Sequence, residues 1–569
     1  MFFVGCDIKE YIVLREKIFY LSRTLVNRGI KMRLGVAVDI GTSGIRAQKV
    51  DLDTGEIKKT VITLRNPLPG ANIMDHMDFA ITYGQDLAHK LHVNAVRRII
   101  EKLGIGPEEL ERLAICGNPI QLSIFQGIPI DDLAYAGERK KEKLNIKEQK
   151  REAAILNCSD ISGLEVYPNA TLRVPPAIRH EIGADALALI IKSGFLETTD
   201  IAIATDYGTN AEMALIVDGT IYTGSAAAGP ALEGQQIAHG KLASPFVISD
   251  VEFENGNLRN YVLDEEMNTI KSKLVNPKTG EVVEDHPLKA KGITGTGVIA
   301  VVEAGMKAGV IQLPKINSAD HILHLQDKVK FFEKDVSEAG LAMGALRAGH
   351  LALCKAAGIE VGDIRKAYMS GAAGTYMDAV KAHHVGMVPF NVDEVIQIGN
   401  TSLSVAREIL LSEDRLWELQ DIARKILSNH VMFATDPAFK EAYIQEISYW
   451  TEGMPFKMLQ KMLKKKNLPV IEEGSKQIKV DRRVQRDIPI LGEEGLEVLE
   501  QVGTYLTMKV DCPECKKCIK VCPTDAISID DEGVVMIRSD LCDGSNCKRC
   551  IRACPPEKFQ WKNLKVMEI

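Results

Sequence analysis

Apolar positions along this chain recur with two different periods. Residues 34–43, LGVAVDIGTS, form a near-continuous apolar run closed by Asp, Gly, Thr and a polar residue, and IRAQKVDL follows. A short apolar run bounded by a turn signal reads as a buried strand, here paired with the strand after it. The same series returns at residues 201–210, IAIATDYGTN, followed by AEMALIVDG. From 405 to 463 the period lengthens. Ile409, Leu416, Leu419, Ile422, Ala423 and Ile426 recur at three- and four-residue steps, which predicts helices. The charge runs KMLQKMLKKKNLP and KQIKVDRRVQRD, within 457–487, read as a solvated helix face and a linker. Near the C-terminus AISIDDEGVVMI alternates about a turn at Asp531–Gly533 and predicts a hairpin.

The repeated hairpin carries the first chemistry. Glycine permits a tight turn close to a ligand. Backbone N–H groups and a Thr hydroxyl at such a turn can face phosphate oxygens, and the Asp can hold a magnesium ion through water. One Asp-x-Gly-Thr turn is weak evidence, and each Asp alone also suits a cap or turn. Two in the same setting imply two related halves with a nucleotide between them. GSAAAGPALEG, residues 224–234, could close over phosphate, with Glu233 a weak candidate to orient a water. GITGTGVIAVVEAGMKAG, residues 292–309, reads as a Gly-rich turn entering an apolar helix and lacks the strand that a dinucleotide fingerprint requires.

Eight of the twelve cysteines lie in residues 512–554. Cys512, Cys515, Cys518 and Cys522 form one compact run ending in Cys-Pro; Cys542, Cys547, Cys550 and Cys554 form another. In such runs three thiolates reach one iron–sulfur cubane and the fourth reaches the neighbouring cluster. Cys512, Cys515, Cys518 and Cys554 are therefore expected to hold one 4Fe–4S cluster, and Cys542, Cys547, Cys550 and Cys522 the second. Zinc modules pair separated CxxC units and fit this pattern poorly. The gap from Cys542 to Cys547 is two residues longer than usual, a loop insertion that leaves the ligand count intact. The scattered Cys6, Cys116, Cys158 and Cys354 are expected as buried free thiols, and the chain reads as reduced and cytoplasmic.

Composition narrows the classes. The chain has 569 residues, 46% of them apolar and 26% charged, with a net charge of −7. The length suggests about three or four domains. The acidic balance and 5% aromatic content argue against a nucleic-acid partner, and no apolar run is long enough for a bilayer. Residues 1–31 lack the uninterrupted apolar centre of a signal peptide; Met32, just before the first strong strand, is the expected start of translation. The expected division is an extension over 1–31, a nucleotide-binding body over 32–470, a linker over 471–504 and a separable two-cluster module over 505–569.

The paired turns resemble the phosphate loops of the actin, sugar kinase and Hsp70 superfamily, and AYMSGAAGTYM, residues 367–377, resembles its adenosine loop. That resemblance implies an α/β actin-like duplicated body. It implies Asp39 and Asp206 on the magnesium side, Gly41, Thr42, Ser43, Gly208, Thr209 and Asn210 near phosphates, and Gly371 and Gly374 where the nucleoside approaches backbone. Residues ~505–569 resemble bacterial two-cluster ferredoxins, an α+β fold. The combination resembles the ATP-dependent reductive activases of corrinoid proteins, and among them those serving methylamine methyltransferase systems of methanogenic archaea. VAVDIGTSGIRAQKVDL, ATDYGTNAEMAL, MSGAAGTYMDAV and IGNTSL carry the likeness over about residues 32–569. Relatives with a single N-terminal plant-type cluster differ by placing it at the other end. The resemblance implies ATP with magnesium, two [4Fe–4S] clusters, an unidentified low-potential electron donor and a corrinoid protein whose Co(II) is returned to Co(I). The chain has no Asp-x-His-x-x-Gly motif, so the cobalt belongs to the partner. Each ~59 mV of mismatch costs tenfold in a one-electron equilibrium, which gives ATP its purpose. Competing classes are a superfamily kinase with a regulatory cluster, an ATP-coupled donor to a radical dehydratase, and a plain electron carrier.

Overall fold

The computed structural model describes residues 32–70, 72–135, 138–177, 182–208, 210–226, 231, 234, 236–472, 477–510, 515–544, 547–554 and 558–567. The extension expected over residues 1–31 lies outside the described residues.

The first apolar run becomes β1 (Leu34–Ile40), which turns back through β2 (Ile45–Asp51) and β3 (Ile57–Thr63). Helices α1 (Ile73–Tyr83) and α2 (Gln85–Lys102) cross to β4 (Leu110–Gly117), parallel to β1. Then come α3 (Pro119–Gln126), β5 (Ala154–Asn157), β6 (Thr171–Val174) and α4 (Ala184–Lys192). The strands lie in the order β3-β2-β1-β4-β6-β5. Val36, Ala37, Val38 and Ile40 are fully enclosed because β1 is a central strand, which is why its pattern is continuous rather than alternating.

The second lobe repeats this plan. β7 (Ala202–Tyr207), β8 (Ala211–Val217) and β9 (Thr220–Ala226) form its meander. A four-stranded antiparallel sheet follows, built from β10 (Ile248–Glu254), β11 (Asn257–Leu263), β12 (Thr269–Val275) and β13 (Val282–Glu284). Next are α5 (Gly295–Lys307) and two short hairpins, β14 (Ile311–Gln312) with β15 (Lys315–Ile316) and β16 (Ile322–His324) with β17 (Lys330–Phe332). Helix α6 (Glu333–Ala357) leads to β18 (Lys366–Ser370), α7 (Gly371–Tyr376) and β19 (Glu394–Gly399). β18 pairs parallel with β7 and with β19. Helix α8 (Thr401–Leu411) then packs on β1 and β4 beside α4, which also touches β7 and β8. These two helices lie between the sheets, so one core joins Val36 and Ile115 to Ala204, Tyr368 and Ile396.

The predicted helical region is α9 (Glu413–Ile426), α10 (Pro437–Glu452) and α11 (Phe456–Lys465). α11 buries Leu459 and Leu463 and exposes Lys457, Lys461, Lys464 and Lys465, so that charge run is a solvated face. The segment expected as a linker does more than connect. β20 (Lys479–Arg482) adds to the second sheet beside β19, and β21 (Leu496–Leu499) adds to the first beside β3. Edge strands that are half exposed carry no apolar run, so their pattern did not mark them.

The tail has strand order β23-β24-β22-β25, from β22 (Tyr505–Lys509), β23 (Ile527–Ile529), β24 (Val534–Arg538) and β25 (Lys565–Val566). The predicted hairpin is β23 with β24. The cysteine-bearing turns are α12 (Lys517–Lys520) and α13 (Arg549–Ala553). Separability is where expectation and structure part. Leu68, Phe79, Leu91 and Ile124 of the body share one core with Leu506, Val535, Ile537 and Trp561 of the tail. Trp561 meets Tyr83 at 4.7 Å and Phe79 edge-on at 6.1 Å between ring centroids, and the Gly70 N–H donates to the Cys542 carbonyl at 2.8 Å.

Trp561→Ala is expected to cost about 3–5 kcal/mol in that shared core, read as a lowered Tm together with new binding of a hydrophobic dye. An unchanged Tm would mean that the tail rides free of the body. Acid should act on the same helices. His76 and His92 are wholly enclosed, with His76 Nδ1 2.7 Å from Gln121 Nε2. Burial lowers His76 to about 4 and His92 to about 3. An unfolded imidazole binds its proton near 6.5, so below that pH the unfolded chain holds more protons than the folded one. Stability from these two groups is complete above about 6.5 and is lost as pH falls toward 4. A Tm that stays level from pH 7 to 4.5 would contradict this.

Candidate functional site

The repeated turns meet at the cleft between the lobes. Asp39 ends β1 and is buried; its Oδ2 accepts from Asn400 Nδ2 at 2.9 Å and lies 3.5 Å from an Arg46 guanidinium nitrogen. Asp206 ends β7, where Oδ2 accepts from Ser370 Oγ at 3.1 Å. Asp39 is close enough for its charge to raise the proton affinity of Asp206. Two further carboxylates face the same space. Asp185 stands at the N-terminus of α4, and Glu212 is the cross-strand partner of Asp206. Burial raises all four. It lifts Asp206 to about 6 and Asp185 to about 7, Asp185 also through the Asp206 charge, and Glu212 well above the carboxylate range. Arg46 is the counter-charge. It also pairs with Asp487 at 3.3 Å, and Asp487 accepts from the Tyr376 hydroxyl at 3.2 Å. Asp487 thus joins β2 of one lobe to α7 of the other.

The turns themselves are tight. Gly41 N–H donates to the Gly44 carbonyl at 3.0 Å, and Gly208 N–H to the Asn210 carbonyl at 3.2 Å. Thr42 Oγ1 accepts from Asn118 Nδ2 at 3.2 Å, and Ser43 is exposed beside it. Gly371 has φ +80°, and a Cβ there would lie 2.4 Å from Asp206 Oδ1. Its close approach is to that carboxylate, whereas Gly374 packs against Tyr207. Thr209 and Glu233 lie outside the described residues. Buried carboxylates with one cation, beside backbone N–H turns, form a centre suited to a magnesium nucleotide. No three His, Cys, Asp or Glu side chains among the described residues converge as direct ligands of one ion. Arg46, Asp185, Glu212, Asn400 and Asp487 escaped sequence reading because only the fold brings them to the turns. Asp185 alone had a local signal, an acid opening the apolar run ADALALII.

The tail holds a second centre. Cys522, Cys542, Cys547 and Cys550 line one cavity with Pro523 and Trp561. These four come from both cysteine runs. Burial pushes the Cys542 thiol up to about 12, helped by Cys550 and Cys522, and raises Cys550 as well. Backbone N–H groups of Ala526 and Gly544 point at the Cys522 and Cys542 sulfurs, at 3.3 and 3.4 Å. Four soft sulfur donors lining one cavity, with amides aimed at two of them, are the donor type that an iron–sulfur cubane takes. Of the other set, Cys515 is exposed, Cys518 buried and Cys554 half-buried, and Cys512 lies outside the described residues. Cys116, Cys158 and Cys354 are buried free thiols, as expected; Cys6 lies outside.

A meander repeated in two lobes, with helices between the sheets and acidic turns at the cleft, defines an actin-like nucleotide-binding body. Residues 200–460 match the family described as the C-terminal domain of RACo, the ASKHA domain, and residues 34–198 match the RACo middle region. The chain belongs to the RACo family. A relative from Methanosarcina barkeri, named [Co(II) methylated amine-specific corrinoid protein] reductase, is 45% identical over 90% of this chain and 95% of its own length. A corrinoid activation enzyme, RamQ, from Eubacterium limosum is 23% identical over 73% of this chain and 70% of its own. A solved structure titled reductive activator for corrinoid, iron-sulfur protein shares the fold. It has a TM-score of 0.58 and 21% identity, over 74% of this chain and 66% of that one.

Gly371→Ala tests the cleft. The strained φ and the displaced Asp206 carboxylate should cost about 1–3 kcal/mol, appearing as roughly ten- to hundredfold weaker Mg–ATP binding by calorimetry with the far-ultraviolet spectrum retained. Unchanged affinity would place the nucleotide elsewhere.

Proposed function

We propose that this chain is an ATP-dependent reductive activator of corrinoid proteins, an oxidoreductase that returns Co(II) to Co(I) and so supports methylamine-dependent methyl transfer in methanogenesis. The observation that carries the proposal is the union, in one chain, of an acidic inter-lobe cleft with a thiol-lined cavity seated on the same body. The 45% identity to the Methanosarcina barkeri reductase supports the choice of a methylamine-type corrinoid partner.

The chain's residues divide the work. Asp39 and Asp206 would hold magnesium through water, and the turns at Gly41–Ser43 and Gly208–Asn210 would meet the phosphates with N–H and hydroxyl groups. The repulsion among Asp39, Asp185, Asp206 and Glu212 would be relieved by the bound cation, which would favour closed lobes. Asp185, the carboxylate whose proton affinity is raised to about 7, is placed to orient a water or hold its proton. Residues 479–499 connect both sheets and run directly into β22. Closure therefore moves the tail with the lobes. Cys542, Cys547, Cys550 and Cys522 would hold one [4Fe–4S] cluster and Cys512, Cys515, Cys518 and Cys554 the other. When bound, such clusters take up and release electrons singly. The cobalt and its corrinoid are the partner's.

The test is anaerobic. Protein, a chemical reductant and a Co(II) corrinoid protein of a methylamine methyltransferase system are mixed, and the cobalt spectrum is followed with and without ATP. Co(I) should form only with ATP. Asp206→Asn should slow it by roughly tenfold or more with iron content unchanged. ATP-independent reduction, or a normal rate in Asp206→Asn, would overturn the proposal.

A further inference from the structure

The two cysteine turns are an internal repeat in more than their cysteines. Residues 515–523 read CKKCIKVCP and residues 547–555 read CKRCIRACP. Lys516, Lys517 and Lys520 in the first correspond to Lys548, Arg549 and Arg552 in the second, and neither segment holds an acid. The backbone repeats as well: Lys516 has φ +47° and Lys548 φ +48°, each opening its short helix. α12 and α13 touch, so the six cations sit on two neighbouring turns that carry the thiols. Lys516, Lys517, Lys520, Arg549 and Arg552 are exposed and Lys548 is half-buried. Among the described residues none of the six forms an ion pair, while elsewhere surface cations such as Lys59, Lys366 and Arg415 are paired. The nearest described carboxylates in sequence are Asp525 and Asp543; Asp543 feels Arg65 as well as Arg549.

A chain with a net charge of −7 that places six cations, without an ion pair among the described residues, on two touching turns has a local field there opposite to its overall one. Such a field steers an acidic partner and rejects basic ones. The face is small and charged rather than apolar, the character of brief electron-transfer encounters and not of stable complexes. Cations beside the thiolate turns also favour an approaching centre that carries negative charge. We infer that the cations Lys516, Lys517, Lys520, Lys548, Arg549 and Arg552 form the docking face for a small acidic electron-carrier protein. The inference rests on the tail's being the redox module.

Binding tests it on the full, cluster-loaded chain. Iron and sulfide are assayed first, so that an iron-free protein counts against the redox module and not against the docking face. The probe is an acidic two-cluster ferredoxin, with basic cytochrome c as the control, and affinities are measured anaerobically from low to high salt. The ferredoxin should bind with strong salt dependence, and cytochrome c should not bind. Lys516→Glu/Lys517→Glu/Lys520→Glu should weaken ferredoxin binding at least roughly tenfold and flatten its salt slope, with iron content and corrinoid-protein affinity unchanged. Arg549→Gln/Arg552→Gln, which removes charge from the second turn, should act in the same direction. Equal ferredoxin affinity in both variants, or loss of corrinoid-protein binding with ferredoxin binding intact, would overturn the assignment.

Discussion

Four buried carboxylates facing one another across a cleft, with one guanidinium among them, set the terms for this molecule. Taking an ionised group out of water costs several kcal/mol even after relaxation. Among the described residues Arg46 stands beside Asp39 and Asp487, and its charge lowers Asp206 by less than burial raises it. The remaining imbalance is met by holding protons, as the raised proton affinities of Asp206 and Asp185 record, or by a cation. A positive charge between the lobes would relieve that imbalance.

The other parts connect to this cleft. Helices α4 and α8 fill the space between the sheets, so neither lobe has a core of its own on that side. Asp487 spans the cleft, and β20 and β21 clamp the same short segment onto opposite lobes. The tail begins a few residues later and shares its core with α1, α2 and α3. A module seated by Trp561 against Phe79 and Tyr83 is positioned by the body rather than tethered to it. Packed interfaces switch between discrete arrangements rather than deform, so a small change at the cleft can reach the thiol turns.

Much of this was legible in the chain. The two apolar runs ending in Asp-x-Gly-Thr or its like became β1 and β7, and the Asp39 charge reaches Asp206. The cysteine spacing assigned Cys522 to a set with Cys542, Cys547 and Cys550, and those four line one cavity. Both readings rest on local rules: a central strand must be apolar throughout, and thiolates on one tight turn reach only as far as the turn allows. Residues 479–499 were misjudged as a linker because an exposed edge strand has no apolar signature. The tail's dependence on the body was hidden because Phe79, Leu91 and Trp561 read as ordinary core residues of their own segments.

The sequence by itself determined the duplication, the helical stretch and the division of the tail cysteines into two runs, since each is written within a few dozen residues. Only the tertiary structure decided which charges share the cleft. Asp39 meets Asn400, Arg46 meets Asp487, and Asp185 meets Asp206 and Glu212, contacts made by elements far apart in the chain. It also decided that Gly371 leaves room for a carboxylate. The physical reason is that burial and charge proximity are properties of the packed lobes, and no local stretch of chain carries either.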